Sequence, residues 1–172
     1  MSEQPLFDPN PILQVLLQHD VVFVVVGVMA AVAQGSPVPT RDLDVTPSRD
    51  SENYERLALA LRDLDAKLRL PDGTCVEFPI DAHYLARNNA WTLLTRSGVL
   101  DLVFFPAGTQ GFEDLRRHAV ELDLGLVKPV LVASLVDVIR MKEAAGRVKD
   151  AAALPAIRQT LEVIRRQQRE SG

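Results

Sequence analysis

Cysteine occurs once in this chain of 172 residues, at Cys75, so no disulfide can form within it. That excludes a disulfide-stapled scaffold and fits a reducing compartment. Histidine is also sparse. His19, His83 and His118 are scattered, and pairing Cys75 with His83 leaves a zinc site short of ligands. The longest apolar run, Val21 to Ala33, is about half of what a bilayer span requires, and Gly27 interrupts it. The first residues, Met1-Ser2-Glu3-Gln4-Pro5, lack the basic start of a secretory signal. The chain therefore reads as soluble and cytoplasmic, with no membrane partner. It has no Walker-type Gly-x-x-x-x-Gly-Lys and no dinucleotide glycine fingerprint. Ser36 and Ser134 lack the elbow that a hydrolase nucleophile needs. Internal repeats and low-complexity tracts are missing as well.

What is present suits one globular domain: 47% hydrophobic and 24% charged residues, enough to bury a core without metal or disulfide. Net charge is −4, unevenly spread. Residues 1–139 carry 11 Lys/Arg against 19 Asp/Glu, and residues 140–172 carry 8 against 4. An acidic body argues against a broad nucleic-acid-binding surface. The basic end either meets phosphate or forms a solvated helix face.

Asn10-Pro11 ahead of Leu13, Leu16 and Leu17 predicts a helix capped at Asn10. Val21 to Val26 is β-branched without alternation, which predicts a strand buried on both faces. Gly27 ends it, and Val28 to Gln34 reads as a short helix. Arg41 to Thr46 alternates as a second strand, and Ser51 can cap a helix to about Asp65. Residues 66–81 give no clear pattern beyond a turn at Pro71-Asp72-Gly73. Trp91 to Arg96 and Val99 to Phe105 predict a hairpin. Trp91 is read as core. Gly111 to His118 predicts a short helix, and Ala119–Leu124 with Leu126–Val132 a strand pair turning near Gly125. Ser134-x-x-Asp137 opens a helix ending at Gly146, and Pro155 to about Arg169 forms the last one. This order is mixed α/β, with a mixed sheet flanked by helices.

Three features carry chemistry. Asp42 and Asp44, two apart on a strand, project to one face while Leu43 and Val45 point to the other. Adjacent carboxylates repel unless a cation neutralises them, and hard oxygen ligands suit Mg²⁺. Such a pair also occurs on exposed strand faces. Asp101 stands alone in an apolar strand, Leu100 to Phe105, where a buried carboxylate needs a partner. If its strand neighbours that of Asp42 and Asp44, three carboxylates can frame two metals about 4 Å apart. Otherwise it meets water or an arginine. Lys142 falls in the middle of the apolar arc of its helix, near Leu135, Val138 and Ile139. Either its stem snorkels across the core edge, or its ammonium enters a cleft to meet the carboxylates or a triphosphate.

From Val22 to Val45 the chain resembles the opening of the nucleotidyltransferase superfamily that includes DNA polymerase beta. That opening is an apolar strand, a glycine turn, a short helix and Asp-x-Asp on the next strand. Five segments carry the likeness over about residues 12–160: Gly27-Val28-Met29-Ala30-Ala31-Val32, Gly35-Ser36-Pro37, Thr40-Arg41-Asp42-Leu43-Asp44, Leu100-Asp101-Leu102 and Ile139-Arg140-Met141-Lys142. The wider run is similar to the AbiEii-type branch, known for toxin components of toxin–antitoxin pairs. The resemblance implies one nucleotidyltransferase-like domain over residues 1–172, with a helical portion from about 134. It implies that Asp42, Asp44 and Asp101 hold Mg²⁺ or Mn²⁺, with Asp101 deprotonating the attacking hydroxyl. It places Gly27, Val28, Ser36, Arg41 and Lys142 at the nucleotide. The activity implied is transfer of a nucleoside monophosphate from an NTP to an RNA, protein or small-molecule hydroxyl, with an antitoxin protein as a further partner. At the second turn position the superfamily has Gly or Ser, and this chain has Val28. Ser36 is then the nearby hydroxyl left to meet phosphate. The alternative is a catalytically degenerate fold that binds nucleotide or protein.

Overall fold

Asp8 accepts a hydrogen bond from the Asn10 N–H at 3.0 Å and caps α1 (Pro9–Gln18). The cap is therefore Asp8, not Asn10, and two prolines fit in the first turn, where their missing N–H groups go unused. The computed structural model describes residues 5–172, so the reading of the first four residues lies outside it. β1 (Phe23–Val26) is buried at every position, which explains its lack of alternation. Gly27, at φ +67°, turns the chain directly into α2 (Gly27–Ala33). β2 (Asp42–Pro47) follows, then α3 (Ser51–Asp63), whose cap position is Asp50. The segment that showed no pattern is a small hairpin, β3 (Lys67–Arg69) and β4 (Cys75–Val76). Its turn is held by Asp72, whose carboxylate accepts from the Thr74 N–H at 2.8 Å. A single helical turn, α4 (Ala82–Leu85), leads to the hairpin of β5 (Ala90–Thr95) and β6 (Gly98–Val103).

α5 (Phe112–Arg116) precedes the pair β7 (Val120–Leu122) and β8 (Val130–Val132). These strands are shorter than expected. Asp123 caps Gly125 in a turn at 2.9 Å, and Pro129 has no N–H to give a ladder. In α6 (Leu135–Ala145), Ser134 accepts from the Asp137 N–H and Gly146 ends the helix in the left-handed conformation. α7 (Val148–Glu170) starts seven residues before the expected Pro155. Arg147 and Asp150 form a reciprocal cap there. Pro155 and Ala151 face solvent, so water can meet the carbonyl that the proline leaves unpaired.

The strands form one sheet in the order β4-β3-β5-β6-β2-β1-β8-β7. β2 runs parallel to β6 and β1 parallel to β8, and the other pairs are antiparallel. The sheet is thus mixed and flanked by helices. Leu43 and Val45 of β2, Leu100 and Leu102 of β6, and Leu57 and Leu61 of α3 are fully buried in one cluster with Ile12 and Leu16 of α1. That packing leaves the alternate residues of β2 and β6 for the other face. Among the described residues no helix is long and apolar enough to cross a membrane.

Candidate active site

Register decides the centre of the site. Because β2 and β6 are parallel neighbours, Asp44 pairs laterally with Asp101, and Asp42 lies two residues earlier on the same face. One oxygen from each of the three carboxylates lies within 4.8 Å of the others. Thr40 steadies Asp42, with its hydroxyl 3.2 Å from Asp42 Oδ1 and 3.1 Å from the Asp42 carbonyl oxygen. Val26 of β1 is opposite Asp44, so Gly27 packs directly against the Asp44 carboxylate. A Cβ at Gly27 would stand 2.3 Å from Asp44 Oδ2. The glycine is thus required twice, by its positive φ and by this close approach.

The electrostatics match three crowded anions. Burial, then the charges of Asp42 and Asp101, push Asp44 up to about 8, with Lys142 opposing. Burial also pushes Asp101 up, against hydrogen bonds from Thr92 and Asp44. A divalent cation would relieve both effects, so an oxygen-only donor set of this spacing fits Mg²⁺ or Mn²⁺.

Lys142 reaches this site from α6. It is only 8% exposed, and its ammonium lies 3.2 Å from Asp150 Oδ1. The cleft reading of Lys142 thus acquires a resident partner, Asp150, as well as the carboxylates. Asp150 is almost fully buried and also accepts from Arg147, at 2.7 Å from Nε and 3.2 Å from the backbone N–H. Burial alone would raise the Asp150 pKa. The hydrogen bonds from Arg147 and Lys142 overcome it and hold the carboxyl at about 2. An ammonium has three donors, so Lys142 keeps two beyond its bond to Asp150.

Two depressions flank Asp42 and Asp44. The larger, about 500 Å³, holds Asp101 and Thr92 beside apolar walls that include Trp91, Pro106 and Met141, and shares Lys142, Arg147 and Lys149 with the smaller. The smaller, about 300 Å³, is lined by Val28, Thr40, Arg41, Lys142, Arg147 and Lys149. Val28 and Arg41 therefore stand beside the carboxylates. Ser36 does not: it lines neither depression, and its hydroxyl is buried without a hydrogen-bond partner among the described residues. Its N–H bonds to the Ala31 carbonyl at the end of α2, which tucks the side chain inward. The residues that the sequence did not single out are Thr40, Thr92 and Asp150. Thr92 is found only through the β5–β6 register. Asp150 lies on a different helix from Lys142, beyond the reversal at Gly146, so helical periodicity does not link them.

This architecture, a mixed sheet with an acidic triad across two parallel strands and helices on its flanks, is a nucleotidyltransferase-like fold. Solved structures with that fold are similar over almost the whole chain. The antibiotic-resistance factor ANT(2'')-Ia, a nucleotidyltransferase, matches at a TM-score of 0.52 with 16% identity, over 94% of this chain and 91% of its own. A candidate nucleotidyltransferase from Thermotoga maritima, TM1012, matches at 0.51 with 20% identity, over 96% and 97%. No protein-family model and no curated protein sequence matches the chain.

Proposed function

We propose that this protein transfers a nucleoside monophosphate from an NTP to a hydroxyl acceptor. The observation that carries this reading is the convergence of Asp42, Asp44 and Asp101 within 4.8 Å beside a cation-lined depression. The three carboxylates would hold Mg²⁺ or Mn²⁺. Bound there, the metal supplies charge neutralisation for the α-phosphate and the leaving pyrophosphate. Arg41, Lys142, Arg147 and Lys149 give the β- and γ-phosphates their counter-charge. Gly27 keeps the Asp44 carboxylate free to face the site. Asp101 accepts the acceptor's hydroxyl proton. The acceptor oxygen bonds to the α-phosphorus, the bridging P–O bond to the β-phosphate breaks, and pyrophosphate leaves. Calorimetry tests the reading: NTP binding should require Mg²⁺ and disappear in Asp42→Ala. Metal-independent binding, or none, overturns it.

Val28 favours a second reading. It puts an apolar side chain where the superfamily turn has Gly or Ser, beside the basic depression. That suits a degenerate module that binds nucleotide or protein without transfer. It predicts NTP binding with no pyrophosphate release on any acceptor. The likeness to the AbiEii-type branch supports a narrower form of the first reading, a cytoplasmic toxin paired with an antitoxin protein and acting on RNA or protein. Co-purification with the product of an adjacent small gene tests that form.

A further inference from the structure

The row that pairs Asp44 with Asp101 continues across the sheet. Thr92 of β5 is opposite Asp101. β3 and β5 pair Lys67 with Leu94 and Leu68 with Leu93, so the next step sets Arg69 opposite Thr92. Laterally paired residues share a face. Asp44, Asp101, Thr92 and Arg69 therefore form one polar row over four adjacent strands. Thr92 lines both the main cleft and a shallow depression of about 400 Å³ with Arg69, Leu70 and Asp72, so the two are continuous across it.

Arg69 is half-buried, and its Nε is buried with no hydrogen-bond partner among the described residues. A buried donor left unmet needs an explanation. Asp72, the nearby anion, has its carboxylate on the Thr74 N–H. The reaction geometry supplies a reason. Attacking and leaving oxygens lie roughly in line through phosphorus. Among the described residues the basic depression is lined from α2, the segment ahead of β2, α6 and α7, and by no residue of β6, β5 or β3, so pyrophosphate leaving through it departs away from those strands. The acceptor then enters from the opposite side, over β6, β5 and β3. From Asp101 to Arg69 is two strand spacings, about 10 Å.

We propose that Arg69 binds an anionic group, a phosphate, carried by the acceptor about 10 Å from the hydroxyl that attacks. This inference rests on the transferase reading. The acceptor is thus a phosphate-bearing hydroxyl compound, either a polynucleotide end or a free sugar phosphate.

The test first saturates the site with a non-hydrolysable NTP and Mg²⁺. Failure at that stage removes the transferase reading itself and is seen before Arg69 is probed. Calorimetric titration then compares three probes: a ribodinucleotide with a 3′-hydroxyl, ribose 5-phosphate, and adenosine, which has no phosphate. At least one phosphate-bearing probe should bind more tightly than adenosine, and Arg69→Gln should weaken it by about tenfold or more. Arg69→Lys should restore part of the loss, and NTP affinity should be unchanged in both variants. Binding by the dinucleotide alone assigns a strand end, and binding by the sugar phosphate assigns a free metabolite. Equal binding of adenosine, or phosphate-probe affinity untouched by Arg69→Gln, overturns the proposal.

Discussion

Replacing Asp44 by Asn should make the metal-free protein more stable, although it should abolish metal binding. In the fold the Asp44 carboxyl is pushed up to about 8, mainly by burial and then by Asp42 and Asp101. In the unfolded chain it titrates near 4. A raised carboxyl pKa means the folded state holds the proton longer, so stability falls as pH rises from about 4 to about 8 and is level above that. Each unit corresponds to about 1.4 kcal/mol, so at pH near 7 the ceiling is about 4 kcal/mol. Residual contact with water and repulsion shared among three carboxylates reduce this to roughly 2 kcal/mol. Asn has nearly the same shape and no charge, and so recovers that amount. For a chain of this size the gain corresponds to a rise in melting temperature of about 4–8 °C at neutral pH, shrinking towards zero near pH 4.5. The assay is thermal unfolding by circular dichroism in excess chelator across that pH range. Adding Mg²⁺ or Mn²⁺ should then stabilise the wild type, by mass action on the folded state, and leave Asp44→Asn unmoved. If the two proteins melt in parallel from about pH 5 to 8 without metal, the triad does not carry the repulsion argued here.

Other substitutions probe the surroundings. Asp150→Asn leaves the Lys142 ammonium buried without its ion pair, and should cost about 3 kcal/mol in urea unfolding at neutral pH. With its carboxyl held at about 2, Asp150 contributes stability above the ordinary carboxylate range that is lost as pH falls from about 4 towards 2, a limb that Asp150→Asn should lack. Lys142→Met keeps Arg147 on Asp150, so it should fold and yet weaken NTP affinity about tenfold by calorimetry. Unchanged affinity would reduce Lys142 to a structural cation. Gly27→Ala should lose about 2 kcal/mol or more from positive φ and from collision with Asp44, and should bind metal poorly even where it remains folded. Metal titration at low temperature separates the two effects.

The carboxylates were legible because period-two alternation is local: Asp42 and Asp44 must share a face once Leu43 and Val45 go inward. Their partner was not, since nothing in the residues of β6 says that it lies next to β2 and not β1. Asp101 attracted notice only as an odd charge in an apolar strand. The capped α6 was legible at both ends, Ser134 and Gly146, because both signals are local backbone chemistry. The start of α7 was not, because the Arg147–Asp150 cap uses an arginine where Ser, Thr or Asn is usual, and Pro155 looked like a beginning. The β3–β4 hairpin escaped notice because its strands have three and two residues, too short for any period to show.

The departure at Val28 bears on only one half of the site. Gly27 is required by Asp44, whatever the turn does for phosphate, since any Cβ there would enter the carboxylate. Val28 faces the other way, into the depression with Thr40, Arg41 and Lys149. If a triphosphate binds as proposed, a lost hydroxyl at position 28 would weaken its grip and leave the carboxylate geometry intact. The cations that line this depression are well placed to compensate, because charge-assisted contacts to phosphate are about twice as strong as the neutral hydrogen bond a serine would add. Ser36, the nearest hydroxyl in sequence, is turned into the core and cannot take that place. On the transferase reading, Arg41, Lys142, Arg147 and Lys149 would offset the hydroxyl that Val28 lacks, and the binding-module reading would require that they do not.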